Sequence, residues 1–263
     1  MYLIDQLTVV IVTYKTNKQI LDQCIKSILG KAKILIVENS YNKELKLSYE
    51  KNFPNLEVFL TGSNLGYGGG NNKGLSLVKT KYALISNPDV IYEEDFFNNL
   101  KTYIDEKTDF SIIGPLYRSN DYASHGYFDD LKNYKFQIDG LENESLIKTH
   151  WIVGCTMFIN LEKFENKKLF DENFFLFFEE FDLCRRVLKK GGKIYASKKL
   201  YVKHLGHKGS AIVDPKYEKE SNFLRSWHWM WSSFYYYEKN FGYIYAIKRM
   251  YGKFFRSLIK MIF

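Results

Sequence analysis

The chain has 263 residues, 46% of them hydrophobic, which is enough for one large α/β domain, or for one domain with a helical appendage. Its three cysteines have no CxxC spacing, which indicates neither a disulfide framework nor a zinc ribbon. The net charge of +8 is concentrated in the stretch from Glu238 to Phe263, which has six basic residues and one acid. There is no basic nucleic-acid recognition module, no basic leader and no apolar run of roughly 18 residues, so we expect a cytoplasmic protein without a nucleic-acid partner.

The first part of the chain is typical of a parallel sheet with crossover helices. Leu7–Thr13 is a continuous apolar run, as expected of a strand buried on both faces. Lys33–Glu38 is predicted as a second buried strand and Leu56–Leu60 as a third. A helical pattern begins at Asn17 and ends at Gly30, which completes a βαβ unit. Glu38-Asn39-Ser40 therefore follows a strand at its carboxyl end, where open α/β sheets bind ligands.

A glycine-rich stretch runs from Gly62 to Gly74, just before the predicted helix that contains Leu75 and Val78. Glycines there would allow the backbone to approach a ligand closely. A dinucleotide fingerprint is the less favoured interpretation, because that motif follows the first strand of a sheet and not the third. A flexible turn without a ligand is a further alternative.

A fourth strand, Tyr82–Ser86, leads into Asn87-Pro88-Asp89, where the proline projects Asp89 from the edge of the sheet. An ordinary turn residue is the alternative interpretation of Asp89. A helix, a strand and a long aperiodic loop are predicted next, at Glu93–Ile104, Phe110–Gly114 and Pro115–Lys148. Trp151–Asn160 is predicted as a buried strand with Gly154 in its interior, which suggests a close backbone approach there.

The stretch from Phe170 to Ser210 combines aromatic residues with acids. Four phenylalanines between Phe174 and Phe178 precede Glu179, Glu180 and Asp182, which open a helix that continues as Leu183–Lys190 and stops at Gly191-Gly192. Two short strands follow, Lys193–Ala196 and Leu200–Lys203, the second of which delivers His204. The acids could simply cap the helix, but three carboxylates beside buried aromatic rings favour a chemical role.

Residues 213–263 are predicted to form a C-terminal aromatic and basic helical extension, in two helices separated by Gly242. In the second helix one stripe is apolar and the opposite face is basic, as in a helix that lies on an anionic membrane. Docking of the stripe on the protein's own core is the alternative. The stripe consists of Ile244, Ile247, Tyr251, Phe254, Phe255, Leu258 and Ile262.

These segments, in this order, resemble the family 2 inverting glycosyltransferases and their rhamnosyltransferase-like branch. The resemblance covers about Thr8 to Ser210, and rests on VVIVTYKTNKQILDQCIKSI, ILIVENS, NLGYGGGNNKGL, YALISNPDV, WIVGCTMFINLEKF and FDENFFLFFEEFDLCRR…VKHLGHKGS. It implies a GT-A nucleotide-sugar-binding fold over residues 1–212, with a central, mostly parallel (mixed) sheet. It also implies transfer of one sugar from a dTDP- or UDP-sugar to a glycan or lipid-linked saccharide, at the inner face of the cell membrane.

Carried over residue by residue, the resemblance implies one catalytic base, Glu180, and a divalent metal, Mn²⁺ or Mg²⁺, bound by Asp89 and His204. The donor-binding residues it implies are Thr13, Glu38, Asn39, Asn64, Gly66, Gly68, Asn71, Asn87 and Asp89. The acceptor-binding residues it implies are Trp151, Gly154, Cys155, Glu179 and Asp182.

The sequence departs from the family pattern in two places. Asn87 stands where the D-x-D motif has its first aspartate, which favours a dTDP-sugar, and Glu180 stands where an aspartate is more usual. The Q-x-x-R-W motif of processive synthases is absent, which favours single addition; Arg225-Ser226-Trp227 is the nearest match. Two other functions remain open at this point, a sugar nucleotidyltransferase and a non-catalytic module that binds a nucleotide or a sugar.

Overall fold

The computed structural model describes residues 2–117, 124–131, 145–206 and 218–262. The strands in these ranges are β1 Leu7–Thr13, β2 Lys33–Glu38, β3 Leu56–Leu60, β4 Tyr82–Ser86, β5 Val90–Tyr92, β6 Ile112–Tyr117, β7 His125–Gly126, β8 Leu146–Lys148, β9 Trp151–Ile152, β10 Thr156–Asn160 and β11 Ile194–His204. The helices are α1 Leu3–Gln6, α2 Lys18–Ile28, α3 Lys43–Asn52, α4 Gly66–Leu77, α5 Phe96–Asp105, α6 Glu179–Lys189, α7 Glu218–Phe241 and α8 Tyr243–Ile262.

The main sheet is mixed, as predicted, with the strand order β3-β2-β1-β4-β10-β6-β11-β5; β8 pairs with β11. β1 to β4 are parallel to one another, and β10 is antiparallel to β4 and β6. Because β11 is parallel to β6, it runs in the same direction as β1 and β4. The carboxyl ends of β1, β2, β4 and β11 therefore lie at one edge of the sheet.

Helices cover both faces of the sheet, and the strand sequences explain why. Along β1, Val9 and Ile11 pack into the core beneath α2, α3 and α5, whereas Val10 packs into the core beneath α4, α6 and α7. Fully burying an aliphatic side chain of this size contributes about 1.5–3 kcal/mol. A strand with both faces buried needs an unbroken apolar run, and β1, β2 and β4 have one.

The predicted bounds of β1, β2, β3 and β4 are confirmed, and so is the start of α2. The Asn17 side chain accepts hydrogen bonds from the amides of Gln19 and Ile20, which satisfies two of the free donors at the helix start. Gly191 has a φ of +77° after α6, as its predicted role as helix stop requires.

Other predicted elements differ in their bounds. The segment predicted as one strand from Trp151 to Asn160 is divided into β9 and β10 by residues 153–155. The two strands predicted around residue 198 are one strand, β11, with a register shift between Ser197 and Tyr201. α3 was not predicted, and the segment 115–148, predicted as a loop, contains β7 and β8 in its described parts.

The glycine-rich stretch was predicted as a loop before a helix, and this is wrong, because α4 begins at Gly66 and includes the glycines. A Cβ at Gly70 would lie 2.7 Å from Val12, and one at Gly74 would lie 2.4 Å from Val10. The glycines therefore let this helix pack closer to β1 than any other residue would. Tertiary packing here overrides the low helix propensity of glycine.

The predicted C-terminal extension contains α7 and α8, and its predicted boundary at 212/213 lies outside the described residues. Tyr236 of α7 is buried in the core beneath the sheet and accepts a hydrogen bond from Arg185 Nε at 2.8 Å. α8 packs on α7 through Ala246 and Met250. Among the helices as far as they are described, none is long and apolar enough to cross a membrane.

Candidate active site

The polar residues at the ends of β1 and β2 are held by short hydrogen bonds. Glu38 is only 2% exposed, and its two oxygens accept from Thr13 Oγ1 and Ser40 Oγ, each at 2.5 Å. Thr13 and Glu38 are paired across the two strands. Both predicted donor-binding residues thus lie at the carboxyl edge of the sheet, with the Glu38 carboxylate fixed in place.

The start of α4 is attached to this edge by two asparagines. Asn39 Nδ2 donates to the Gly66 carbonyl at 2.9 Å, and Asn64 Oδ1 accepts from the Gly66 amide at 3.1 Å. Gly66 has a φ of +73°, and a Cβ there would lie 2.3 Å from the Phe175 carbonyl oxygen. Asn71 is buried, and its Oδ1 has no hydrogen-bond partner in the described part of the chain. A Cβ on Gly68, which is also buried, would lie 3.1 Å from Phe170.

Asp89 and His204 come together at the same edge. Asp89 Oδ1 lies 3.3 Å from His204 Nε2, and the Leu205 amide donates to the Asp89 carbonyl at 3.0 Å. Two ligands bound about 2.1 Å from one octahedral cation, at right angles to each other, are about 3 Å apart. A carboxylate with an imidazole suits Mn²⁺ as well as Mg²⁺, so this pair fits a divalent ion. Among the described residues no third His, Cys, Asp or Glu joins the group.

The turn between β9 and β10 connects this pair to the acids of α6. The Cys155 carbonyl accepts from the Asn87 amide at 2.7 Å, so the turn is bonded to the segment that ends in Asp89. A Cβ on Gly154 would lie 3.3 Å from Glu180 Cβ. The predicted close approach at Gly154 is therefore confirmed, and the Asp89 segment and Glu180 lie on two sides of one turn.

Tyr67 belongs to the same group, and the sequence analysis did not single it out. Its hydroxyl donates to the Gly154 carbonyl, and its amide donates to the Phe175 carbonyl at 3.0 Å. Burial raises the pKa of Tyr67, as do the charges of Glu179 and Glu180. Its place within a glycine-rich stretch beside a strand end was the available signal, but only the fold brings it to the acids.

The acids of α6 follow a strained backbone. Phe177 and Phe178 have φ values of +70° and +67°, a left-handed conformation that costs about 1–3 kcal/mol for each non-glycine residue. Phe178 packs between Phe181 and Tyr236, with ring centroids 5.6 Å and 5.4 Å away. This packing holds Phe178 in place shortly before Glu180, whose Cβ lies against the turn at Gly154.

Glu179 and Glu180 have unusual protonation behaviour for carboxyl groups. Burial raises the pKa of Glu180 to about 7. Burial and the neighbouring charge of Glu180 raise the pKa of Glu179 well above its ordinary value, and Glu179 Oε2 has no hydrogen-bond partner among the described residues. A carboxylate poised near neutral pH can take a proton from an alcohol more readily than an ordinary surface glutamate.

Two predicted acceptor-binding residues have mainly structural contacts. Asp182 is 1% exposed, and its oxygens accept from Arg186 Nε at 2.7 Å and from Lys239 Nζ at 2.8 Å. This carboxylate joins α6 to α7, and its acceptor role stays a prediction. Trp151 packs on Phe181 with ring centroids 5.1 Å apart, and its acceptor role stays a prediction.

Sequence comparison relates this arrangement to enzymes that transfer sugars. The family model described as glycosyl transferase family 2 matches residues 8–167. The low-salt glycan biosynthesis hexosyltransferase Agl10 of Haloferax volcanii is 27% identical over 198 residues, which are 72% of this chain and 63% of that protein. The rhamnosyltransferase WbbL of Escherichia coli K12 is 22% identical over 65% of this chain and 69% of its own length. The chain thus spans about two thirds of the length of these relatives.

Solved structures share the fold at low sequence identity. Staphylococcus aureus TarS in complex with UDP-GlcNAc has a TM-score of 0.56 and 14% identity, over 85% of this chain and 66% of that chain. The mannosyltransferase PcManGT of Pyrobaculum calidifontis, in complex with GDP-Man and Mn²⁺, has a TM-score of 0.59 and 13% identity, over 89% of this chain and 64% of that chain. The fold is of the GT-A type, as predicted. Since the family model covers more than half of the chain, the protein belongs to glycosyl transferase family 2.

Proposed function

We propose that the protein is an inverting, single-addition hexosyltransferase that transfers a sugar, rhamnose being the favoured one, from a dTDP- or UDP-sugar to a glycan or lipid-linked saccharide in cell-surface polysaccharide synthesis. The observation that carries this proposal is the turn at residues 153–155, which joins the segment of Asp89 on one side to Glu180 on the other. Residues 153–155 would thus hold both the proposed site for the leaving group, at Asp89, and the proposed base, Glu180. A nucleotidyltransferase or a binding module would not need this pairing of groups.

In the proposed reaction Glu180 takes the proton of the acceptor hydroxyl. The oxygen forms a bond to the anomeric carbon while the bond from that carbon to the diphosphate breaks, so the configuration inverts. Asp89 and His204 would hold a divalent ion, which neutralises negative charge on the departing diphosphate. Glu38 and the start of α4 would hold the nucleoside, because they form the neighbouring part of the same edge.

The donor is tested with a thermal-shift screen of dTDP-rhamnose, UDP-glucose and GDP-mannose, with Mn²⁺ and with EDTA. We expect dTDP-rhamnose to raise the melting temperature most, because Asn87 replaces the acid that would approach the ribose hydroxyls. Asp89→Ala should remove the Mn²⁺-dependent part of the shift. Asp95→Ala is the matched control, since Asp95 is exposed and caps its helix without a side-chain hydrogen bond.

Two results would count against the proposal. A full Mn²⁺-dependent shift in Asp89→Ala would overturn the metal assignment. Binding of donor without any transfer to water or to a saccharide acceptor would favour a non-catalytic module. A larger shift with UDP-glucose would overturn only the choice of nucleotide.

We also propose that the outer face of α7 and α8 rests on an anionic membrane surface, close to a lipid-linked acceptor. Trp227, Trp231, Ile247, Tyr251 and Phe254 are all exposed on these two helices, and Lys248 and Arg249 are exposed beside them. Of the predicted apolar stripe, the side chains that are described are exposed, so the alternative of docking on the protein's own core has no support from them. Each Lys or Arg near such a surface contributes about 1 kcal/mol.

Sedimentation with phosphatidylglycerol vesicles tests this surface. The full chain should bind, binding should weaken with salt, and Phe254→Glu should reduce it. Leu47→Glu is the control, because Leu47 is an exposed leucine on α3. If Phe254→Glu instead converts a dimer to a monomer without changing vesicle binding, the face is an interface between two copies of the chain and the membrane proposal fails.

A further inference from the structure

We infer that Arg225 binds the diphosphate of the leaving nucleotide, from the side of the site on which α7 lies. This inference rests on the proposed function, and it assigns to the C-terminal helices a direct part in donor binding. None of the residues predicted for the donor site is a fixed cation, although the donor carries a diphosphate. Arg225 would supply that positive charge.

The way α7 docks on the domain carries Arg225 to the site. One face of the helix makes a series of contacts at helical spacing. His228 stacks on Phe175 with ring centroids 4.7 Å apart, and Ser232 Oγ donates to the Leu176 carbonyl at 2.8 Å. Further contacts follow at Tyr236 and Lys239. Arg225 lies one turn before His228, so it lies on the same docking face.

The segment beneath this part of α7 belongs to the donor site. Phe175, which stacks on His228, accepts a hydrogen bond from the Tyr67 amide, and its carbonyl lies against Gly66 at the start of α4. The beginning of α7 therefore lies over the glycines predicted to bind the nucleotide. Arg225, one turn before His228 on the same face of α7, therefore lies near the edge of the sheet that carries Asp89.

The surroundings of Arg225 are consistent with this placement. Its side chain is partly buried. The guanidinium interacts electrostatically with the carboxylate of Asp89. A partly buried guanidinium beside Asp89 is well placed to bind an anion, since its planar fork can bind two phosphate oxygens at once.

If Arg225 had only a structural role and paired with Asp89 to attach α7 to the domain, its substitution would have a different effect on stability and on nucleotide binding. The loss of such a pair would lower stability by the same amount with and without nucleotide. The loss of a diphosphate contact would instead weaken binding of a nucleoside diphosphate and leave the nucleoside monophosphate nearly unaffected, because the monophosphate lacks the second phosphate. The two roles can therefore be separated by choice of ligand.

The experiment is calorimetric titration of the full chain, in Mn²⁺, with dTDP and dTMP and with UDP and UMP. We expect Arg225→Gln to weaken binding of the preferred diphosphate by about 10- to 100-fold, the range for a hydrogen bond between charged groups, and that of the monophosphate by less than threefold. Arg225→Lys, which keeps the charge without the fork, should lie between. Lys51→Gln is the control, since Lys51 is an exposed cation on α3.

The inference would be overturned if Arg225→Gln bound the nucleoside diphosphate with unchanged affinity. It would also be overturned if the variant lost affinity equally for the monophosphate and the diphosphate and had a lower melting temperature. If Arg225→Gln does not fold, Arg225→Lys decides: parental diphosphate affinity in that variant would overturn the role of the fork. Failure of the parent protein to bind any of the four nucleotides would overturn the proposed function itself, which distinguishes the two failures.

Discussion

Glu38 and Glu179 lie at the same edge of the sheet and are both buried, at 2% and 5% exposure, but their surroundings differ. Both oxygens of Glu38 accept hydrogen bonds from hydroxyl groups. Glu179 has an oxygen without a partner among the described residues, and burial raises its pKa. The proposed donor side of the site thus fixes its carboxylate with hydrogen bonds, whereas on the proposed acceptor side a buried carboxylate oxygen lacks a partner among the described residues.

The difference shows how one sheet edge can provide two kinds of acid. A carboxylate whose two oxygens accept hydrogen bonds from hydroxyl groups keeps a fixed position. A carboxylate deprived of water and donors binds a proton more tightly, which is the property a general base needs. If the comparison is right, substitutions on the two sides should affect different kinetic constants.

The largest effect is expected from Glu180→Gln. The amide keeps the shape of the side chain but cannot accept the proton, so kcat should fall by roughly 10² to 10⁴ while donor affinity and melting temperature barely change. Glu179→Gln is the matched control, and it should keep kcat within about tenfold because Glu179 is not the proposed base. The reverse result would mean that Glu179 is the base.

The next effect concerns pH. Because Glu180 must be ionised to act and burial raises its pKa to about 7, kcat/KM should fall about tenfold for each pH unit below 7 and level off above it. The pKa of Glu180 in the folded protein lies above the ordinary value for a glutamate. Its contribution to the free energy of unfolding is therefore present at low pH and is lost as the pH rises through 7. Glu180→Gln should remove that part of the stability profile. A flat rate profile between pH 5 and 8 would contradict the assignment.

A smaller effect is expected on the donor side. Glu38→Gln should raise the donor KM by about tenfold, the lower end for a lost hydrogen bond to a charged group, with kcat nearly unchanged. Glu57→Gln is the control, since Glu57 is exposed on β3. A change in kcat that exceeds the change in KM would place Glu38 in the chemical step and remove the distinction between the two sides.

The smallest effect is expected at the connection between α6 and α7. Lys239→Met removes the cation that bonds Asp171 and Asp182, and it should lower the free energy of unfolding by about 1–2 kcal/mol with kcat retained. Denaturant titration measures the loss, with Lys51→Met as control. If Asp182→Asn leaves the free energy of unfolding unchanged and raises the KM for the acceptor, that result would support the predicted acceptor role of Asp182.

The bounds of β1, β2 and β4 could be predicted from the sequence because strands buried on both faces require unbroken apolar runs, which local composition displays. The start of α2 and the end of α6 could be predicted because Asn17 and Gly191 act within one turn of chain. The positions of Glu38, Asp89 and His204 at strand ends followed from those elements. The separation of Asp89 Oδ1 from His204 Nε2 did not, since it depends on how β11 is placed beside β6 and β5.

What only the tertiary structure decided lies where distant segments meet. Glycine is a poor helix former, so nothing local predicts that α4 begins at Gly66; the closeness of Val10 and Val12 of β1 decides it. In the sequence Asp182 cannot be distinguished from the neighbouring acids. In the structure it forms a salt bridge with Lys239, which is 57 positions farther along the chain. The raised pKa of Glu180 likewise comes from burial, because desolvation is a property of the packed environment and not of the residue.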